Sequence, residues 1–168
     1  MFKRFFLVFI PLLVLSGCTI SYKLNGASID YTRVKSISIQ DFPIQAPLVY
    51  APLSQKFTEG LKDMYIRQTK LKLVKRDGDL QIDGEITGYD LAPMATQADG
   101  YASETKLTVT VNVRFVNTTK PEESFEQNFT AYKSFSASSM LEDVQDALLE
   151  DIIKEISESI FNKTVANW

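Results

Sequence analysis

Apolar and polar residues along this chain follow two periods. From Val34 the run VKSISIQDF alternates: Ile37 and Ile39 share one side, with Ser36, Ser38 and Gln40 on the other. That pattern predicts a half-buried strand, and Pro43 and Pro47 end it. From Pro52 the period lengthens. Leu53, Phe57, Gly60, Leu61 and Met64 fall on one side at helical spacing, while Lys56, Glu59, Lys62 and Asp63 lie mostly elsewhere. Pro52 suits a first helical turn, and the helix is expected to end near Thr69. Gly60 on its apolar side would let a neighbour lie close.

Alternation returns in LKLVKR and DLQIDGEITGYDL, which flank Asp77-Gly78, a strong hairpin signal. Leu80, Ile82, Gly84, Ile86 and Gly88 share a face, and its glycines leave room for a helix; Asp79, Gln81, Asp83, Glu85, Thr87 and Tyr89 form the other. Ala92 to Ser103 is small, polar and turn-rich and reads as a loop. The most regular run is Lys106 to Asn117, with Leu107, Val109, Val111, Val113 and Phe115 facing one way. Pro121 marks a turn, after which Phe125, Phe129, Ala131 and Phe135 form another inner face. Ser139-Met140-Leu141-Glu142 has the form of a capping box, with Ser139 at the N-cap. Leu141, Val144, Leu148, Leu149, Ile152, Ile153, Ile156 and Ile160 then predict a second helix, to about Asn162. The element order is β-α-β-β-β-β-α. One apolar face per strand predicts an α+β fold: a two-layer α/β sandwich, its mostly antiparallel or mixed sheet carrying two helices on one face. The other sheet face is polar, open to solvent or to a partner.

Composition narrows the chemistry. The chain has no histidine, which removes Ser-His-Asp and Cys-His catalysis and every His-containing metal site. Its single cysteine, Cys18, excludes an intrachain disulfide and a multi-thiolate centre. No metal or other cofactor is expected. The formal charge is −3, and it becomes −5 when Lys3 and Arg4 leave with the first 17 residues. That balance disfavours nucleic-acid binding.

The N-terminus carries the most specific signal. Lys3 and Arg4 precede eleven apolar residues, Phe5 to Leu15, and then Ser16, Gly17 and Cys18. A basic head, a short apolar stretch and small residues make a secretory signal. At ~1.5 Å per residue the apolar stretch spans about half of a ~30 Å bilayer core, too little for a permanent transmembrane helix. LSGC, residues 15–18, resembles the lipobox of bacterial lipoproteins. That resemblance implies cleavage between Gly17 and Cys18, acylation of Cys18 and a soluble domain on a lipid tether. Two or more acyl chains make such an anchor stable. By the same resemblance, Thr19 rather than Asp implies export to the outer membrane, and the lack of an acidic run after Cys18 favours its periplasmic side. The expected division is a signal peptide over 1–17, a lipidated tether with a lead-in strand over 18–33, and one domain over 34–168.

Other candidates are weaker. Lys70, Lys72, Lys75 and Arg76 cluster around one short strand, as edge protection or as an anion site for lipid phosphates, and Arg114 on the polar sheet face is a similar candidate. Asp79, Asp83 and Glu85 share a strand face, where solvated carboxylates are far commoner than an acid–base pair. Tyr31, Tyr50 and Tyr101 fall in predicted loops and could anchor a partner, whereas Trp168 reads as a packing residue.

Taken together, LSGC, APLSQKFTEGLKD, TKLKLV followed by GDLQIDGEITGY, KLTVTVNVRFVN, PEESFEQNF and IFNKTVANW resemble the LptE family of lipopolysaccharide-assembly lipoproteins, in its Bacteroidetes-type form. The resemblance implies a non-enzymatic plug and assembly partner of the LptD β-barrel that binds lipopolysaccharide. Two other readings compete with it. One is a lipoprotein that activates a cell-wall synthase or serves a secretion apparatus. The other is a lipid-anchored hydrolase using Asp83 and Glu85.

Overall fold

The computed structural model describes residues 29–94 and 104–165. The signal segment, Gly17, Cys18, most of the tether, Tyr101 and Trp168 lie outside them. Five strands form one sheet in the order β2-β1-β3-β4-β5: β1 (Ser36–Ile39), β2 (Lys72–Val74), β3 (Leu80–Pro93), β4 (Glu104–Asn117) and β5 (Phe125–Ser136). Helices α1 (Pro52–Gln68) and α2 (Leu141–Thr164) cover its apolar face, so the α+β sandwich and its β-α-β-β-β-β-α order stand. β3, β4 and β5 pair antiparallel, whereas β1 runs parallel to both of its neighbours.

That last pairing corrects the hairpin expected at Asp77-Gly78. β2 and β3 do not pair, because β1 lies between them. The link from Lys75 to Asp79 crosses β1 on its serine side. A Cβ at Gly78 would stand 2.5 Å from the Ser38 nitrogen, so only glycine lets the crossing lie this close. Asp77 supplies the turn with a φ of 55°. Ser38 is buried as a result, and its Oγ accepts from the Gly78 N–H at 3.4 Å. β1 is thus a covered inner strand, not a half-buried one.

β3 holds a second correction. A bulge falls between Ile86, which pairs with Val111, and Gly88, which pairs with Thr110. One extra residue reverses the facing of everything after it. Gly88 therefore turns to the polar side beside Thr110, and Tyr89 turns into the core, where its hydroxyl accepts from Gln145 Nε2. Gly84 does stay on the inner face, but it makes room for the Phe42 ring rather than for a helix. Phe42 is held there by its backbone, which receives a bond from Ser54 Oγ (2.6 Å) and donates one to Thr58 Oγ1 (3.2 Å), and its ring meets Phe57 edge-on at 5.0 Å.

The expected apolar faces otherwise hold. Leu53, Phe57 and Leu61 of α1 and Leu149, Ile152, Ile156 and Ile160 of α2 are essentially inaccessible. Each such side chain contributes about 1.5–3 kcal/mol by leaving water. Gly60 sits where the helices meet, and a Cβ there would lie 2.9 Å from Ile153 Cγ2. Tyr65 is fully buried with its hydroxyl joined to Thr164, and burial raises the phenol well above its ordinary range.

Three local expectations fail. Ser139 does not cap α2: Met140 is the N-cap, with no side-chain bond, because the Ser139 N–H is turned back to the Ser136 carbonyl at 3.0 Å. β3 runs through Ala92 to Pro93, so the connection to β4 is shorter than the sequence suggested. Residues 30–33 form a turn, not a strand, since Asp30 Oδ1 accepts from the Thr32 N–H and hydroxyl at 3.0 and 2.6 Å.

Candidate functional site

One basic edge, one polar sheet face and one charged cleft are candidates. Lys70, Lys72, Lys75 and Arg76 are all exposed along β2, the short edge strand. Among the described residues none of them enters an ion pair. Backbone contacts fix the segment: Gln40 Nε2 donates to the Lys75 carbonyl at 2.8 Å, and the Lys70 N–H reaches Tyr31 Oη at 3.4 Å. The fold thus holds four free cations on one edge. Such an array suits a polyanionic surface better than one small anion, because nothing converges on a single point.

Arg114 does not join them. β1 and β3 separate β2 from β4, a distance of about 14 Å at ~4.8 Å per strand. Its guanidinium is bonded to the Asp83 carboxylate directly across the β3–β4 ladder. That pair also accounts for Asp83, and Glu85 faces Asn112 on the same ladder. The outer sheet face is a run of such cross-strand pairs: Thr110 with Thr130 at 3.0 Å, Asn112 Nδ2 with Asn128 Oδ1 at 3.0 Å, and Lys106 Nζ at 5.1 Å over the Tyr132 ring. Among the described residues this face offers hydrogen-bonding side chains together with the Asp83–Arg114 ion pair. Among the described residues, no group of three or more Cys, Asp or Glu is placed to hold a metal ion.

Asp79 has a different role from the one its strand position suggested. Its Oδ2 accepts from the Lys35 N–H (2.8 Å), the Ser36 N–H (3.0 Å) and Ser36 Oγ (2.9 Å). These bonds, the Lys35 backbone first, hold its carboxyl below the ordinary carboxylate range. It is a clamp on the start of β1. Tyr50 is likewise a tie: its hydroxyl donates to Asp146 Oδ1 at 2.8 Å, and Lys56 Nζ meets the same oxygen at 2.7 Å. Both partners, Lys56 first, hold Asp146 below its ordinary range.

Pattern reading missed a cleft of about 330 Å³ where β3 begins and β4 ends. Arg33, Lys120 and Lys163 reach it from three distant segments, with Asp30, Glu122 and Glu123 among them. Lys120 is paired with Glu123 at 2.7 Å, Arg33 Nη2 donates to the Thr119 carbonyl at 3.4 Å, and Lys163 Nζ lies 5.7 Å over the Phe125 ring. The cleft is charge-balanced. No local spacing could have announced it, because its residues come together only through the fold.

The charged edge, the polar sheet face and the cleft are all carried by one α+β sandwich with two helices on one sheet face. The family model described as LptE, Lipopolysaccharide-assembly, matches residues 34–164, and the chain belongs to that family. No curated protein matches the chain. Solved structures show the same fold. A minor lipoprotein from Acinetobacter baumannii is 15% identical with a TM-score of 0.52, covering 77% of this chain and 91% of its own. Rare lipoprotein B from Shewanella oneidensis is 11% identical with a TM-score of 0.52, over 76% and 92%. The hypothetical protein CT253 from Chlamydia trachomatis is 11% identical with a TM-score of 0.56, over 78% and 98%.

Proposed function

We propose that this protein is a non-enzymatic outer-membrane lipoprotein that serves as plug and assembly partner of an LptD-type β-barrel in carrying lipopolysaccharide to the cell surface. The observation that carries this reading is the family match across residues 34–164. Similarity in fold to lipoproteins of other bacteria agrees with it, as does the LSGC sequence ending at Cys18. In this reading residues 1–17 are removed, Cys18 carries the acyl chains, and residues 34–168 form the working domain on the periplasmic side. The described residues contain no helix long and apolar enough to cross a membrane; in this reading Cys18 is the attachment. The free cations at Lys70, Lys72, Lys75 and Arg76 are the proposed contact for lipid phosphates; Arg114, already held by Asp83, is the lesser candidate.

The test is purification of the tagged full chain from its own outer membranes in mild detergent. An LptD-type barrel in stoichiometric yield is expected, together with metabolic palmitate labelling that a Cys18→Ser variant lacks. Recovery of a cell-wall synthase or secretion component without any barrel would reject the reading.

A further inference from the structure

The two edges of the sheet are finished differently. β2 is three residues long and is set among Lys70, Lys72, Lys75 and Arg76, and a short, lysine-rich edge keeps other strands from pairing. β5, at the opposite edge, is twelve residues long, with no proline and no glycine. Its register with β4 runs from Phe125 to Ser136 without a bulge. Beyond that ladder, the Ser136 carbonyl, which accepts from the Ser139 N–H, is the one β5 backbone group that is bonded among the described residues. Every second residue of such a strand turns its N–H and C=O away from its neighbour, so β5 presents an open ladder. Its inward-pointing cation, Lys133, is no guard, because Glu155 neutralises it at 3.0 Å.

We propose that β5 pairs antiparallel with the β5 of a second copy of this chain, joining the two sheets into one. A two-fold axis normal to the sheet relates the copies, so both pairs of helices lie on one side and opposed residues share a face. The strand's own sequence sets the register. Centred on Thr130, the pairing matches chemistry on both faces. On the helix side Phe125 opposes Phe135, Phe129 opposes Ala131, and Gln127 opposes Lys133; on the outer side Thr130 meets Thr130 and Asn128 meets Tyr132. Centring it one residue later, on Ala131, sets Lys133 against Phe129 and leaves Phe125 unopposed. Charges of opposite sign also meet along the seam, each pair twice by symmetry. Lys163 Nζ lies 5.7 Å over the Phe125 ring, which carries it to the second copy's Phe135, beside the Glu155 that Lys133 holds. Glu126 stands diagonal to the second copy's Tyr132, whose ring has Lys106 Nζ at 5.1 Å. The ladder alone supplies about ten hydrogen bonds, the number found in a typical stable interface. Neither the barrel nor the Cys18 anchor enters this pairing, and the β2 cations stay free at both outer edges of the joined sheet.

The test is disulfide trapping in the full chain, purified in mild detergent and oxidised in air, with the protein carrying Cys18 alone as background. Opposed residues of an antiparallel ladder have Cα atoms about 4.5–5.5 Å apart, within disulfide range. Thr130→Cys should therefore link two copies in high yield. Asn128→Cys and Tyr132→Cys should link only when the two variants are mixed before oxidation, because like positions stand about 13 Å apart along the seam. Thr110→Cys, one strand further in, should stay unlinked, its two copies being about 14 Å apart. Wild type should sediment as two chains per particle. Asn128→Lys with Tyr132→Lys, which sets lysines against each other across the seam, should weaken association at least tenfold and leave the thermal midpoint unchanged. Wild type sedimenting as single chains, Thr110→Cys linking as well as Thr130→Cys, or Asn128→Cys linking as well alone as in the mixture would each overturn the pairing. So would single chains with β5 amides already protected from hydrogen exchange, which would assign the edge to the chain's own N-terminal segment, or a different protein bound there in stoichiometric amount.

Discussion

Replacing Asp79 by Ala should cost this domain about 1.5–3 kcal/mol at neutral pH. The residue gathers three donors on one oxygen, two of them backbone N–H groups that belong to the entry of β1. Its own backbone joins in: the Asp79 N–H donates to Ser36 Oγ at 3.0 Å, and its carbonyl accepts from the Thr118 N–H and Oγ1, each at 2.9 Å. A hydrogen bond to a charged group contributes about 1.5–3 kcal/mol when buried. The clamp is partly exposed, so the three side-chain bonds together are discounted to roughly the worth of one buried bond. With a urea m-value of about 1.5–2 kcal/mol/M for a chain of this size, the midpoint should fall by about 1–2 M. The pH dependence has a definite sign. The folded pKa lies below the unfolded one, so the stabilisation is complete above the unfolded value of about 3.9 and is lost as pH falls through the folded pKa. The difference between wild type and variant should therefore shrink as the pH falls below the unfolded value of about 3.9. Urea titrations of both proteins at pH 7 and pH 2.5 decide the matter. A difference under 0.5 kcal/mol at pH 7, or one that does not shrink in acid, refutes the clamp.

Gly60→Ala should destabilise the domain by up to about 2 kcal/mol and lower its thermal midpoint, because strain against Ile153 Cγ2 outweighs the gain in helix propensity. Adding Ile153→Ala should cost less than its single effect, and strict additivity in calorimetric melts would show that the helices do not touch there. Ser157→Ala should leave stability unchanged or raise it by up to ~1 kcal/mol, since the buried Oγ has no partner among the described residues, and a clear loss in the same melts would reveal one. Changing Lys70, Lys72, Lys75 and Arg76 together to Gln should weaken binding to lipopolysaccharide micelles and flatten its salt dependence without altering the melt. Equal affinity at 50 mM and 200 mM salt for wild type and variant would remove this edge from the lipid-contacting surface.

What could be read from the sequence, and what could not, divides along contact distance in the chain. Ile37 and Ile39, or Val109 through Phe115, declare their facing through neighbours two residues away, and α2 declares its buried stripe through neighbours three and four away. Asp77-Gly78 carries the same local signal whether the chain turns back on itself or crosses a strand. What separates the two cases is that β1, some forty residues earlier, occupies the place a hairpin partner would take. The bulge before Gly88 is equally silent: one extra residue in β3 has meaning only against the count in β4. Asp79 was legible as a carboxylate on a strand face, and its duty was not, because all its donors lie at Lys35 and Ser36. The same reasoning explains the candidate sites. Lys70, Lys72, Lys75 and Arg76 are close in sequence and stay together on one edge. Arg114 was grouped with them by charge alone, and the strand order and Asp83 take it away.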